Sequence, residues 1–170
     1  MALRIAITGS PGVGKTTLVQ KSVKAAELKV GGVLARDKRV KDRRVGFELL
    51  DLRSGAIGML ADENGDGPQL GKYRVCLEDL DTIGATAIED GLESDLIVVD
   101  EVGPMELSSK RFVSAVEMAV ASDKPMLVVL HQWSQHPLAK KIRKTFRVIT
   151  LTKENRDTAA DEVGKEIKKL

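Results

Sequence analysis

Leu3-Arg4-Ile5-Ala6-Ile7-Thr8-Gly9-Ser10-Pro11-Gly12-Val13-Gly14-Lys15-Thr16-Thr17-Leu18 is the stretch from which the rest of the chain can be read. Leu3, Ile5 and Ile7 make a short apolar strand signal, and Thr17-Leu18-Val19-Gln20 opens a helical pattern. Between them, Gly9 to Thr16 fits a glycine, four residues, Gly-Lys, then Ser or Thr. The chemistry explains the residue types. Glycines remove Cβ atoms, so successive backbone N–H groups can curl around a phosphate. A helix starting near Lys15 adds unpaired N–H groups and the positive end of its dipole. The Lys15 ammonium reaches β- and γ-phosphates, and the Thr16 hydroxyl takes a place on Mg²⁺. Gly9, Ser10, Pro11, Gly12, Val13, Gly14, Lys15, Thr16 and Thr17 are therefore the expected phosphate-binding residues.

Working outward, the bulk numbers bound the remaining choices. The 170 residues suit one domain spanning residues 1–170, and a hydrophobic fraction of 42% supports a core without staples. A single cysteine, Cys76, excludes an internal disulfide and a cysteine metal cluster; it is expected inside a strand. No leader is visible, and no apolar run approaches the roughly 18 residues of a membrane helix, so a cytoplasmic protein without a membrane partner is expected. A net charge of +2 gives no support to nucleic acid as a partner, and with 3% aromatic residues base-stacking platforms are few. A monomer is the simplest expectation.

The pattern predicts a helix over 17–28, then a hairpin over 30–52 whose strands cover 30–34 and 45–52 around a polar break at 40–44. A short strand over 56–61, a loop over 62–71 and an extended piece over 72–77 follow. A helix is predicted over 80–92. Leu96 to Val99 is a continuous apolar run, the mark of a strand covered on both faces. After it come a helix over 110–121 capped by Ser108 or Ser109, a buried strand over 125–130, a basic helix over 136–144, a strand over 146–151 and a charged helix from 155 to 170. Strands alternating with helices after residue 80 predict a three-layer α/β domain with a mainly parallel sheet, and 30–77 predicts an antiparallel extension.

Asp100 and Glu101 close the 96–99 strand, which in a phosphate-loop fold is expected beside the first strand. There the Asp100 carboxylate meets Mg²⁺ directly or through water, and Glu101 points toward the γ-phosphate, where it orients or deprotonates the attacking water.

The chain resembles the THEP1 family of nucleoside-triphosphatases over almost its whole length. The resemblance rests on Gly9 to Thr17, Gly31-Gly32, Arg39, Arg44-Val45-Gly46-Phe47, Ser54-Gly55, Gly71-Lys72-Tyr73-Arg74-Val75, Asp100-Glu101-Val102-Gly103-Pro104-Met105-Glu106 and Leu151-Thr152-Lys153-Glu154-Asn155-Arg156. It implies a P-loop NTPase fold of the RecA/AAA-like group and Mg²⁺-dependent hydrolysis of several nucleoside triphosphates, ATP and GTP among them, to diphosphate and phosphate with weak base selectivity. It also implies Glu101 as the water-activating residue, and Asn155 and Arg156 close to the nucleotide base. Arg39, Arg44 and Lys72 match basic positions of the family; Arg39 is the candidate that offsets charge during transfer, beside Lys15. The chain departs from the family at Ala35-Arg36-Asp37, where a threonine and two acids are usual.

Other residues keep two readings. His131 either senses the γ-phosphate or closes a strand, and Trp133 covers a base or fills a gap under a loop. Glu106 either holds a basic group or caps the following segment. Arg43 and the run Lys140, Lys141, Arg143, Lys144 read as solvated surface. Two other functions share the same cradle: phosphoryl transfer to a small acceptor, and a nucleotide-regulated binding module. An Asn-Lys-x-Asp guanine reader is absent, against a GTPase switch.

Overall fold

The computed structural model describes residues 2–170. In chain order its elements are β1 (Arg4–Gly9), α1 (Lys15–Ala25), β2 (Val30–Val40), β3 (Arg43–Asp51), β4 (Ile57–Asp62), β5 (Gln69–Leu70) and β6 (Tyr73–Val75). Then come α2 (Leu77–Asp79), a π-helical turn (Leu80–Ala85), α3 (Thr86–Gly91), β7 (Leu96–Val102), a 3₁₀ turn (Glu106–Ser108), α4 (Lys110–Ala121), β8 (Met126–Leu130), α5 (Pro137–Thr145), β9 (Arg147–Leu151) and α6 (Arg156–Ile167). All strands share one sheet in the order β5-β6-β4-β3-β2-β7-β8-β1-β9. From β2 to β9 neighbours run parallel. From β2 to β5 they run antiparallel. The expected α/β class, mainly parallel with an antiparallel extension, is the architecture found.

Side chains alternate across the parallel strands, as the pleat requires. Ile5, Ile7, Leu96, Val98, Leu127 and Val129 join Leu18 and Val19 of α1 and Ala159 and Val163 of α6 in one core. Ala6, Ile97, Val99, Met126 and Val128 join Ile88 of α3, Phe112 and Val116 of α4 and Ile142 of α5 in the other. Both faces are thus covered, which is why these strands read as unbroken apolar runs. Phe112 is fully buried, and burial of such a side chain is worth about 1.5–3 kcal/mol.

Three expectations need correction. The strand carrying Asp100 does not lie beside the first strand: β8 pairs with both and separates them. β2 does not stop near Leu34 but runs to Val40 through Arg36, Lys38 and Arg39. The charges are tolerated because that half of the strand lies beyond the packed layers and is paired across the ladder, as with Arg36 Nε and Glu48 at 2.7 Å. The hairpin then turns at Lys41 and Asp42, both at positive φ. Cys76 lies between β6 and α2 rather than inside a strand, and is half-buried.

The Gly31-Gly32 pair marks where β2 is crowded. Gly32 has φ +101°, and a Cβ there would lie 1.9 Å from the Val98 carbonyl oxygen. Ser109 caps α4: its hydroxyl accepts the Phe112 N–H at 3.0 Å and donates to Asp81 Oδ1 at 2.5 Å. No helix among the described residues is long and apolar enough to cross a membrane.

Candidate active site

The carboxyl ends of β1, β7, β8 and β9 bring the site together. β1 delivers Gly9 at φ +146°, where a Cβ would stand 2.6 Å from the Leu151 carbonyl oxygen of β9. Only glycine lets the two strands approach this closely. Gly14 caps α1 in the left-handed region and offers no side-chain hydrogen bond to the first turn. The first N–H groups of α1 therefore remain available to an anion, as expected of a phosphate cradle. Lys15 Nζ is held against the loop by the carbonyls of Gly9 at 2.8 Å and Ser10 at 3.0 Å.

Although β8 intervenes, Thr16 and Asp100 meet. Thr16 Oγ1 donates toward Asp100 Oδ1 at 3.4 Å, too long for a strong hydrogen bond. Asp100 is 1% exposed and its Oδ2 has no partner. Burial, then the neighbouring Glu101 charge, pushes its carboxyl up to about 7, against the Thr16 hydrogen bond. Two hard oxygens and an unsatisfied buried carboxylate oxygen fit a small divalent cation. Such a set suits Mg²⁺, which takes one or two protein ligands and completes its shell with phosphate oxygens and water.

Glu101 follows across a cis peptide bond. It lines two cavities at once. One, of about 170 Å³, holds Gly9, Pro11, Lys15, His131, Gln132 and Trp133. The other, of about 650 Å³, opens past Thr16 and Asp100 toward Phe47, Leu60 and Met105. Burial raises the Glu101 carboxyl above its usual range, opposed by the nearby Lys15 and His131. Glu106 lies behind it: its Oε2 accepts the Gly103 N–H at 3.1 Å, so it closes the 103–106 turn rather than holding a basic group. Burial, then the Glu101 charge, pushes Glu106 up to about 8. Gly103 is the spacer between the two acids, since a Cβ there would stand 2.6 Å from Glu101 Oε1 and 3.2 Å from Glu106 Oε2.

Arg39 is not brought to the loop. It sits by the hairpin turn, where it donates to Asp37 Oδ2 at 3.0 Å and to the Asp42 carbonyl at 2.8 Å. Arg44 and Lys72 belong to the antiparallel extension too, one donating to the Tyr73 hydroxyl at 3.2 Å, the other paired with Glu63 at 3.2 Å. Asn155 is near the site, but its amide is engaged: Oδ1 accepts the Thr152 N–H at 2.7 Å and Nδ2 donates to the Thr150 carbonyl at 2.9 Å. It shapes the β9–α6 loop and leaves Arg156 to face Gly14 and Thr17 across a cavity of about 220 Å³.

Sequence reasoning took Arg143 for solvated surface. Its guanidinium fastens the loop after β8, donating to the carbonyls of His131 at 3.0 Å, Gln132 at 3.1 Å and Ser134 at 2.7 Å. That fastening sets His131 and Trp133 beside Lys15 and Glu101, with Trp133 itself 72% exposed. A single arginine followed by no partner in sequence carried no signal of this.

Comparison with known proteins agrees with the geometry. The model of a family described as NTPase matches residues 4–164. A nucleoside-triphosphatase THEP1 of Methanosarcina acetivorans is 52% identical, covering 95% of this chain and 94% of its own. One of Methanosarcina barkeri is 44% identical, covering 99% of each. A crystal structure of THEP1 from the hyperthermophile Aquifex aeolicus superposes with a TM-score of 0.83 at 29% identity, over 95% of this chain and 96% of that one. The solution structure of a human cancer-related nucleoside triphosphatase gives 0.81 at 28% identity, over 99% and 98%.

Proposed function

We propose, given that this chain belongs to the THEP1 nucleoside-triphosphatase family, that it hydrolyses nucleoside 5′-triphosphates to diphosphate and phosphate with Mg²⁺ and little choice of base. The observation that carries this is the convergence on one point of the Gly9–Thr16 loop, the Thr16–Asp100 oxygen pair and the Glu101 carboxylate.

The loop amides and the α1 N-terminus take the β- and γ-phosphate oxygens, and Lys15 exchanges its loop carbonyls for them. Thr16 Oγ1 and Asp100 would hold Mg²⁺, which when bound neutralises charge on the β- and γ-phosphates. Glu101 orients a water and accepts its proton as the water oxygen bonds to the γ-phosphorus. The bond from that phosphorus to the β–γ bridging oxygen breaks, and the diphosphate leaves with the electron pair. His131 lies close enough to the same small cavity to hold a γ-phosphate oxygen. Asn155 turns its amide to the backbone of its own loop, with Oδ1 and Nδ2 each bound once, which is in keeping with weak base selection.

The test is Glu101→Gln. Turnover should fall by about 10²–10⁴-fold, with nucleotide affinity within a few-fold of the parent. Equal turnover in the two proteins would remove Glu101 from this role.

A further inference from the structure

A water nucleophile needs about 30 Å³ of space. The cavity that Glu101 borders on its outer side has about 650 Å³, within the range of small-molecule sites. Its inner end, at Thr16 and Asp100, belongs to the cation and the γ-phosphate. The rest is walled by Ala35, Phe47, Leu60, Leu70, Pro104 and Met105. It is not the place of the nucleoside. Thr16 lines this cavity, whereas its neighbour Thr17 faces the opposite one, with Gly14, Lys21 and Arg156. A triphosphate lying along the loop with its γ-phosphate at Thr16 leaves toward Thr17 and Arg156, away from the apolar walls.

The charges of the cavity define its occupant. Asp37, Asp100, Glu101 and Glu106 all line it, and the cation of the lining, Arg36, is already paired with Glu48 at 2.7 Å. Lys38 and Arg44, on the same hairpin, are taken up by Asp62 and by Tyr73 and Asp37. Nothing in the lining is arranged to hold a second phosphate, and the carboxylates of Asp37 and Glu101 oppose one. The apolar walls favour a body with little charge.

We propose that this cavity takes a second substrate, an unphosphorylated alcohol with an apolar or aromatic body, and that the enzyme transfers the γ-phosphoryl group to it. The proposal rests on the nucleoside-triphosphatase reading and adds an acceptor to the same site. The hydroxyl oxygen bonds to the γ-phosphorus and its proton passes to the Glu101 carboxylate. The bond to the bridging oxygen breaks with its electron pair going to the leaving nucleoside diphosphate. The products are a phosphomonoester and the diphosphate; Glu101 later releases the proton to water. Hydrolysis is the same reaction with water in place of the alcohol.

The experiment supplies the full chain with MgATP and, one at a time, thymidine, adenosine, pyridoxine and thiamine, with thymidine monophosphate and pyridoxine phosphate as anionic counterparts. ADP, inorganic phosphate and phosphomonoester are quantified together by phosphorus NMR. With at least one neutral or cationic alcohol, ADP should exceed phosphate and a phosphomonoester should account for the difference, while the anionic counterparts give none. Leu70→Asp places an unpaired carboxylate against the acceptor. It should lower transfer by at least about tenfold and leave ADP formation without alcohol within about twofold. ADP equal to phosphate with every alcohol, or transfer unaffected by Leu70→Asp, overturns the proposal while ADP formation without alcohol upholds hydrolysis. No ADP under any condition overturns both.

Discussion

Replacing Glu106 by Gln should change how stability responds to pH, by an amount the structure sets. Glu106 is 5% exposed, and its carboxyl is pushed from an ordinary 4.5 to about 8, chiefly by burial. Between those values the folded chain keeps a proton that the unfolded chain releases. Stability therefore falls as pH rises through the window and levels off above about 8. At about 1.4 kcal/mol per pH unit, the loss between about pH 5 and about pH 8 comes to roughly 3–4 kcal/mol. Glutamine keeps an oxygen to accept the Gly103 N–H and has no proton to lose. Urea unfolding of both proteins, without divalent cations, at intervals from about pH 5 to about pH 9 gives two curves. Asp100 titrates over part of the same range, from 3.8 to about 7, but it is present in both proteins and largely cancels in their difference. Glu106→Gln should gain on the parent by on the order of 3 kcal/mol as pH rises. Parallel curves would refute the assignment of a protonated buried acid at this position.

Three further substitutions probe the frame around the site. Gly103→Ala places a methyl 2.6 Å from Glu101 Oε1; kcat should fall by at least about tenfold, with nucleotide affinity unchanged by equilibrium titration. Gly32→Ala combines φ +101° with a 1.9 Å approach to the Val98 carbonyl; it should cost more than about 4 kcal/mol, seen as a collapsed melting temperature or insoluble protein. Arg39→Ala removes a turn residue bound to Asp37 and the Asp42 carbonyl; kcat should stay within about twofold, and a much larger loss in steady-state assays would mean that the hairpin folds over the nucleotide during turnover.

The features legible in sequence were those that a few adjacent residues determine. The loop from Gly9 to Thr16 needs its glycines and its lysine at fixed places, so the pattern and the chemistry coincide. Leu96 to Val99 announces a doubly covered strand, and the acids after it fall at the strand's carboxyl end, where α/β sheets keep their sites. What escaped depends on distant partners. β2 looks like a loop from Arg36 onward until Glu48 and Asp62 are placed opposite its charges. The break at 40–44 is legible as a turn, but not the positive φ that Lys41 and Asp42 both take without a glycine. Asn155 belongs to the right loop, yet only the hydrogen bonds at 2.7 and 2.9 Å show that its amide faces its own backbone. His131 and Trp133 reach Lys15 because Arg143, on the next helix, ties down their loop.

The placing of β1 has a consequence for how the protein is made. Its partners on either side are β8 and β9, so the strand that carries the phosphate loop is completed by residues 126–130 and 147–151. Leaving the ribosome, β2, β3 and β4 can pair with near neighbours almost at once, whereas β1 must wait, unpaired, while most of the polypeptide is synthesised. Nascent chains arrested before β9 should show no nucleotide-dependent protection from protease, and protection should arise abruptly once that last strand emerges.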